Sequence, residues 1–295
     1  MSILSGSPKY TKGENYFMIF NYAFLTFIAF ITFYPMFYVL AASLSENNKL
    51  MQHSGLLLAP RGFSTLAYER VAKNPMILLG YRNTLFILVM GVCLALLMTS
   101  LAAYFLSRKN VYFRKPIMFA ITFTMFFSGG MIPAYLNLRD LRLTNTLWGL
   151  IIPGMISVYN MIILRTSFNS IPESLTEAAY IDGAGHIQIL FQIVLPLSKA
   201  ILAVMILYYG IGIWNSWFWA SAILRRRELF PLQVILREIL LQNSALEMTS
   251  GADQEAISET IKYATIIVAT VPVLCIYPFL QKYFARGVML GGIKE

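Results

Sequence analysis

The stretch TEAAYIDGAGHIQILFQIVLPLSKA, residues 176–200, lies between two apolar runs in a chain otherwise suited to lipid. Hydrophobic residues fill 58% of the 295 positions and charged residues only 13%. The mean hydropathy of +0.64 is too high for a water-soluble globule of this length. An integral membrane protein is expected. A helix crossing about 30 Å of hydrocarbon needs about 20 apolar residues, and runs of that kind fall at 17–42, 83–106, 116–136, 146–168, 197–220 and 263–284. Because unpaired backbone groups are costly in lipid, runs of this length read as helices. The expected fold class is all-α, a polytopic membrane protein with six transmembrane helices. The first run exceeds the roughly 7–15-residue core of a cleavable leader and follows a polar arm, so it reads as a retained span. The expected organisation is an arm at 1–16, one transmembrane domain at 17–285 with a loop of special interest at 170–196, and a tail at 286–295.

What these runs lack narrows the function. Their interiors hold no Asp, Glu, Lys or His, and Arg165 stands at the end of the fourth. Ion-coupled carriers hold their driving ion with intramembrane carboxylates, histidines or unwound helices. An intramembrane hydrolase needs a nucleophile with a base, or metal ligands. Neither set is present, and no catalytic residue is expected. Cys93 and Cys275 lie inside spans as small apolar side chains, and His53 and His186 have no companions at ligand spacing, so no metal site is expected. With no Gly-Lys dipeptide, the phosphate-cradling loop of nucleotide hydrolases is missing. Energy for uphill transport would have to come from another polypeptide.

Lys and Arg number 23 against 14 Asp and Glu, a net charge of +9, but they divide almost evenly between the two sides, so a bare count leaves orientation open. The short loop SRKNVYFRK, with Arg108, Lys109, Arg114 and Lys115, is more basic than NLRDLRLTN, which favours a cytoplasmic amino terminus. In the long segment 221–262, Pro231 can open an amphipathic helix with Leu232, Ile235, Leu236, Ile239 and Leu240 on one face. Such a helix is expected to lie on the membrane surface or to receive a partner.

Upstream of the quoted stretch, Ser170-Ile171-Pro172-Glu173 has capping-box spacing and predicts a helix start. Glu173 and Glu177 then lie one turn apart near the positive end of the helix dipole, and Ala178 and Ala179 leave a low surface for close approach. Gly183 and Gly185 allow the turned backbone that ends the helix. The segment 186–194 leads through Leu195-Pro196 to the fifth span. A short helix, a turn and a second helix at the membrane face make a shape for docking, or an ordinary amphipathic connector, since Glu-Ala-Ala is common in helices.

Glu177-Ala178-Ala179, three residues, Gly183, nine residues, then Ile193-x-Leu195-Pro196 resembles the EAA loop of the membrane subunits of bacterial ABC importers. Tyr180-Ile181-Asp182-Gly183-Ala184 and the terminal GVMLGGIKE resemble the carbohydrate-uptake branch, the maltose-type second permease subunit. The resemblance implies that the loop is cytoplasmic and sits in a cleft of an ATPase subunit. Glu177 would pair with a basic group there, Ala178 and Ala179 would make flush contact, and Gly183 would make the turn, with Asp182, Ile193, Leu195 and Pro196 completing the motif. It also implies a cytoplasmic amino terminus and a tail at 288–295 that reaches the ATPase.

A solute passing between the bundles needs polar groups on apolar walls. Tyr209, Trp214 and Asn215 in the fifth span, with Tyr159 and Asn160 in the fourth, offer sugar-stacking rings and amides. Trp and Tyr near a span end also serve as interfacial anchors. Gly129, Gly130 and Pro133 mark a bend or close packing in the third span. Arg225-Arg226-Arg227 with Arg237 is a solvated cap, a draw for acidic oligosaccharides such as uronates, or a dock for a binding protein.

The expected function is a non-catalytic permease subunit of an ATP-driven carbohydrate importer in the bacterial cytoplasmic (inner) membrane, with both termini cytoplasmic. By resemblance its partners are a second homologous permease subunit, an ATPase dimer, an extracytoplasmic sugar-binding protein, a sugar substrate and membrane lipid, with no nucleic acid. No cofactor is expected on this chain, ATP and Mg belonging to the ATPase. The rivals are an ABC permease for a non-sugar solute and a self-sufficient secondary transporter.

Overall fold

A computed structural model describes residues 11–247 and 252–289, so most of the tail at 286–295 lies outside the described residues. Helices α1 (Lys12–Ser43), α2 (Asn47–Met51), α3 (Leu66–Lys73) and α4 (Pro75–Ser107) come first. They are followed by α5 (Arg114–Phe126), α6 (Met131–Asp140), α7 (Trp148–Ile151), α8 (Val158–Asn169), α9 (Glu173–Ile181) and α10 (His186–Ile189). A π-helical turn at Leu190–Val194 leads into α11 (Leu195–Leu197), α12 (Lys199–Trp214), α13 (Phe218–Ile223), α14 (Leu232–Glu247) and α15 (Ala252–Met289). Among the described residues there is no strand, and one isolated bridge joins Ser45 to Phe63. The fold is all-α, as expected.

Among the described residues three helices are long and apolar enough to cross a membrane unbroken, and taking each bent pair as one span brings the number to six. The bends are 113° between α5 and α6, 47° between the α7 segment and α8, and 87° between the α10–α11 segment and α12. The first falls where Gly129 and Gly130 stand, with Gly130 at φ +85°, a backbone that costs a glycine little. The third falls at Ser198, just after the π-helical turn and Pro196. A proline nitrogen cannot donate to the preceding turn, and a widened turn accommodates the loss.

Contacts divide the chain into two units, one within 1–71 and 243–267 and the other within 72–242 and 268–295. In the first, α1 begins at a capping box: Glu14 N–H donates to Thr11 Oγ1 at 3.4 Å, and Thr11 N–H donates to the Glu14 carboxylate at 2.7 Å. Ala41, Ala42, Leu50 and Leu57 form its small core against Phe37, Tyr38 and Tyr263. Further back along α1, residues such as Phe20 and Phe30 are exposed within this chain.

The second unit is organised around α4, which packs on α8 and α12. Small residues make the close approach possible, as is usual where helices meet without water to drive them together. A Cβ on Gly91 would stand 2.9 Å from Ile213 of α12, and one on Gly80 would stand 2.6 Å from Ile235 and 3.0 Å from the Leu232 Cα of α14. Buried Asn83 donates to the carbonyls of Glu228 and Phe230 at 2.8 and 3.1 Å, and Thr84 Oγ1 accepts from Leu232 N–H at 2.8 Å. The amphipathic helix after Pro231 therefore forms, but not as expected. Leu232, Ile235 and Leu236 are buried within this chain against α4, and Ile239 and Leu240 are half-buried. That face has its partner already, which corrects the reading of a helix waiting on the membrane surface.

Candidate functional site

The segment after α8 forms an elbow on the end of α4. Its helix start differs from expectation. Ser170 is the last-turn cap of α8, and its hydroxyl donates back to Ser167 O at 2.7 Å. Pro172 occupies the cap position of α9 without a side-chain bond, and the Glu173 carboxylate takes Lys109 Nζ at 2.5 Å instead of reaching back. No capping box forms at 170–173 because the preceding helix claims the serine.

The end of α9 is a Schellman motif. Ala184 N–H donates to Ala179 O at 2.9 Å and Gly183 N–H to Tyr180 O at 3.0 Å, with Gly183 at φ +83°. Gly183 is thus the turn residue expected, whereas Gly185 has φ −77° and needs no glycine for its backbone.

α9 shows two faces. Thr176 and Ala179 point inward, and Ala179, at 8% exposed, joins the core with Ile189, Leu190, Val194, Leu106 and Phe168. This corrects the expectation that Ala178 and Ala179 both face outward. Ile193 and Leu195 pack partly against the same core, and Pro196 is exposed at the bend. Glu177, Ala178 and Asp182 are exposed together with Leu175, Ile181 and Ile187. Sequence reasoning missed these apolar residues; Ile181, at 87% exposed, is the sharpest case. The signal that could have found them is an aliphatic side chain beside the acids on the outer helix face.

The elbow and the α8 helix before it are tied to α4. Arg165 Nε donates to Leu106 O at 2.9 Å, filling a carbonyl that the helix end leaves without an intrahelical partner. The Tyr180 hydroxyl lies 2.6 Å from His186 Nδ1 across the turn, the His186 ring meets Tyr104 edge to face at 6.4 Å, and the Arg108 guanidinium lies 4.6 Å over Tyr104.

Toward the other end of α4 is a cavity of about 860 Å³ lined by Thr84, Ile87, Asn137, Ser157, Trp219 and others. Tyr159, Asn160, Tyr209 and Trp214 of the expected path all line it, while exposed Asn215, the C-cap of α12, does not. Tyr208 and Ser216, from the same aromatic stretch, also line it. The Tyr209 hydroxyl is occupied: it lies 2.6 Å from Thr99 Oγ1 and accepts from Ser157 N–H at 3.0 Å. Tyr209 can therefore present its ring face, while Tyr159, 56% exposed, presents more of itself. Rings of Tyr159 and Tyr208 stand 6.5 Å apart. Among the described residues, none that lines it carries a charge.

The loop before α7 borders this cavity through Leu141 and Leu143. From the same loop, Asn145 Oδ1 accepts from the backbone N–H groups of Arg225 and Arg226, each at 3.0 Å. Arg227 pairs with Glu238 at 2.9 Å and Arg237 lies 3.8 Å over the Trp217 ring, whereas among the described residues no ion pair engages Arg225 or Arg226.

From Ile87 beside the cavity to Leu106 beside the elbow, α4 spans roughly 30 Å at its rise per residue. α8 and α12 also connect the two: Asn160 and Tyr208 line the cavity, while Phe168 and Val204 pack in the core beneath the elbow. The arrangement joins a surface joint to a neutral, ring-lined chamber through three packed helices.

Known proteins share this architecture. The chain is 40% identical to the polygalacturonan/rhamnogalacturonan transport system permease protein YtcP of Bacillus subtilis (strain 168), over 92% of this chain and 96% of that protein. It superposes with a TM-score of 0.86 and 35% identity on a chain from the crystal structure of a bacterial ABC transporter involved in the import of the acidic polysaccharide alginate, covering 94% of this chain and all of that one. A second solved chain, from a bacterial alginate ABC transporter in complex with alginate pentasaccharide-bound periplasmic protein, shares the fold at 16% identity and a TM-score of 0.59, over 90% of this chain and 93% of that one. The family described as binding-protein-dependent transport system inner membrane component matches residues 77–290, and with most of its length inside that match this chain belongs to that family of ABC importer permeases.

Proposed function

We propose that this permease passes acidic oligosaccharides, of the uronate class, through the cavity beside Tyr159, Asn160 and Trp214 in an ATP-driven import complex. The observation that carries the proposal is that two relatives at 35% and 40% identity over nearly the whole chain are both named for acid-bearing polysaccharides. The chemistry of the site supports it. Sugar C–H faces lie on aromatic rings and hydroxyls bind amides, and the lining has no carboxylate to repel an anion. Arg225 and Arg226, held by Asn145 beside the cavity loop, supply positive charge near the mouth.

In this reading the chain binds no cofactor. It pairs with a second homologous membrane subunit, rests on an ATPase dimer that holds ATP and Mg, and receives sugar from an extracytoplasmic binding protein. The outward face of α9, with Glu177, Ala178 and Asp182, seats on the ATPase, which puts both termini in the cytoplasm. The Lys109–Glu173 pair supports that orientation, since it brings the most basic short loop to the same side as α9.

The test is uptake into proteoliposomes holding the complete complex, with its binding protein outside and ATP inside. Oligogalacturonides are expected to accumulate only with ATP, and neutral oligosaccharides of equal length much less. Preferred uptake of the neutral sugars, or of a non-sugar solute, would overturn the substrate class. Transport by this chain alone, driven by an ion gradient, would overturn the whole reading.

A further inference from the structure

The turn between α9 and α10 is closed twice, and only one closure belongs to the backbone. The Schellman bonds at Gly183 would form with almost any side chain on either flank. The second closure is specific to its residues: the Tyr180 hydroxyl and His186 Nδ1 meet at 2.6 Å, six positions apart in sequence, with the rings edge to face at 5.4 Å. His186 in turn presents its ring to Tyr104, on the last turns of α4. Tyr104 is 6% exposed, and its hydroxyl is buried without a hydrogen bond of good geometry, Tyr180 acting on it only at longer range. A buried hydroxyl without a partner is unfavourable, so a conformation that satisfied it would be favoured. Tyr180 is its neighbour. The Arg108 guanidinium lies over the Tyr104 ring, and Lys109, the next residue, pairs with Glu173 of α9.

We propose that Tyr180 and His186 form a positioning latch which holds α9 at a set angle to α4, with the Tyr104 hydroxyl as a second station for Tyr180 when α9 is displaced. The proposal rests on the reading of α9 as the ATPase-docking helix and goes beyond it, because it names the residues that pass α9 movement to the transmembrane helices. Both stations are short-range and directional, so the helix has two preferred seats rather than a continuous range of tilts. Tyr180 stands at the end of α9 nearest the turn and contacts groups on either side of it.

The test uses the complete complex in proteoliposomes and reads uptake and ATP hydrolysis together. Tyr180→Phe removes one oxygen, and His186→Phe keeps a ring while removing the nitrogen. Each is expected to lower sugar transported per ATP hydrolysed by about fivefold, the scale of one hydrogen bond. The double variant should lose no more than either single one, and His186→Asn, which restores a polar partner, should recover part of the loss. Tyr104→Phe should also lower the ratio, by removing the second station. An unchanged ratio in Tyr180→Phe and His186→Phe, or additive losses in the double variant, would overturn the latch. Glu177→Lys run alongside separates the two ideas: if it leaves uptake intact, the docking reading fails, whereas an effect there with none at Tyr180 and His186 removes the latch alone.

Discussion

The elbow at 173–197 and the cavity around Tyr159 lie near opposite ends of α4, α8 and α12, and they are built in opposite ways. The elbow is made of neighbours: a positive-φ glycine, two backbone bonds of a Schellman motif and a proline after a widened turn, all within 25 residues. The cavity draws its walls from segments far apart in sequence, with Thr84, Asn137, Asn160, Tyr208 and Pro231 meeting only in the folded chain. One region is local backbone chemistry with an exposed outer face; the other is a tertiary assembly whose polar groups are partly used up in holding the walls together. The elbow should therefore respond to surface charge and turn geometry, and the cavity to packing.

Five substitutions would break or sharpen that contrast. The largest effect is expected from Glu177→Lys, on the exposed face of α9. Losing one side of an interfacial ion pair costs about 2–5 kcal/mol, so ATP-driven uptake by the complete complex should fall by roughly 30-fold or more at the low end of that range. The melting temperature of the isolated subunit should not move. Gly149→Val should do the reverse. A Cβ there would stand 2.3 Å from the Leu143 carbonyl oxygen and 3.1 Å from Ile223, and forcing atoms into a packed site costs about 1–3 kcal/mol. Thermal unfolding in detergent should drop by several degrees, before any transport is measured.

Tyr209→Phe comes next. It deletes the oxygen shared by Thr99 and Ser157, which should cost about 1 kcal/mol of stability while leaving the concentration for half-maximal uptake nearly unchanged. Tyr159→Ala, at the exposed ring, should raise that concentration with little loss of stability. Reversal of these two results would mean that Tyr209 rather than Tyr159 meets the solute. Lys109→Ala should matter least. Its pair with Glu173 is solvent-exposed at both partners, and such pairs contribute about 0–1 kcal/mol, so any effect should fade in high salt.

Two of the chain's S/T-x-x-E segments teach the same lesson on a smaller scale. Thr11-x-x-Glu14 forms a capping box, with the threonine and the glutamate each bonded to the other's backbone N–H. Ser170-x-x-Glu173 has the same spacing and does not, because α8 ends on the serine and Lys109, 64 residues away, takes the glutamate. Similarly, the apolar face after Pro231 was legible as a stripe, but its partner was not: Gly80 on α4 leaves room for it from far along the chain.

The amino-acid sequence alone determined what depends on composition and near neighbours. This covers the all-α membrane fold, the Gly183 turn and the membership signalled by Glu177 through Pro196. Those features follow from hydropathy over a span and from backbone freedom at single residues, which need no distant contact. The tertiary structure alone decided that Ala179 turns inward, that the Tyr209 hydroxyl is occupied, that Asn215 stands outside the cavity, and that Tyr180 reaches His186 beside Tyr104. Each depends on which helix faces which, and a side chain's partners are set by the packing of the whole second unit around α4 rather than by its own stretch of chain.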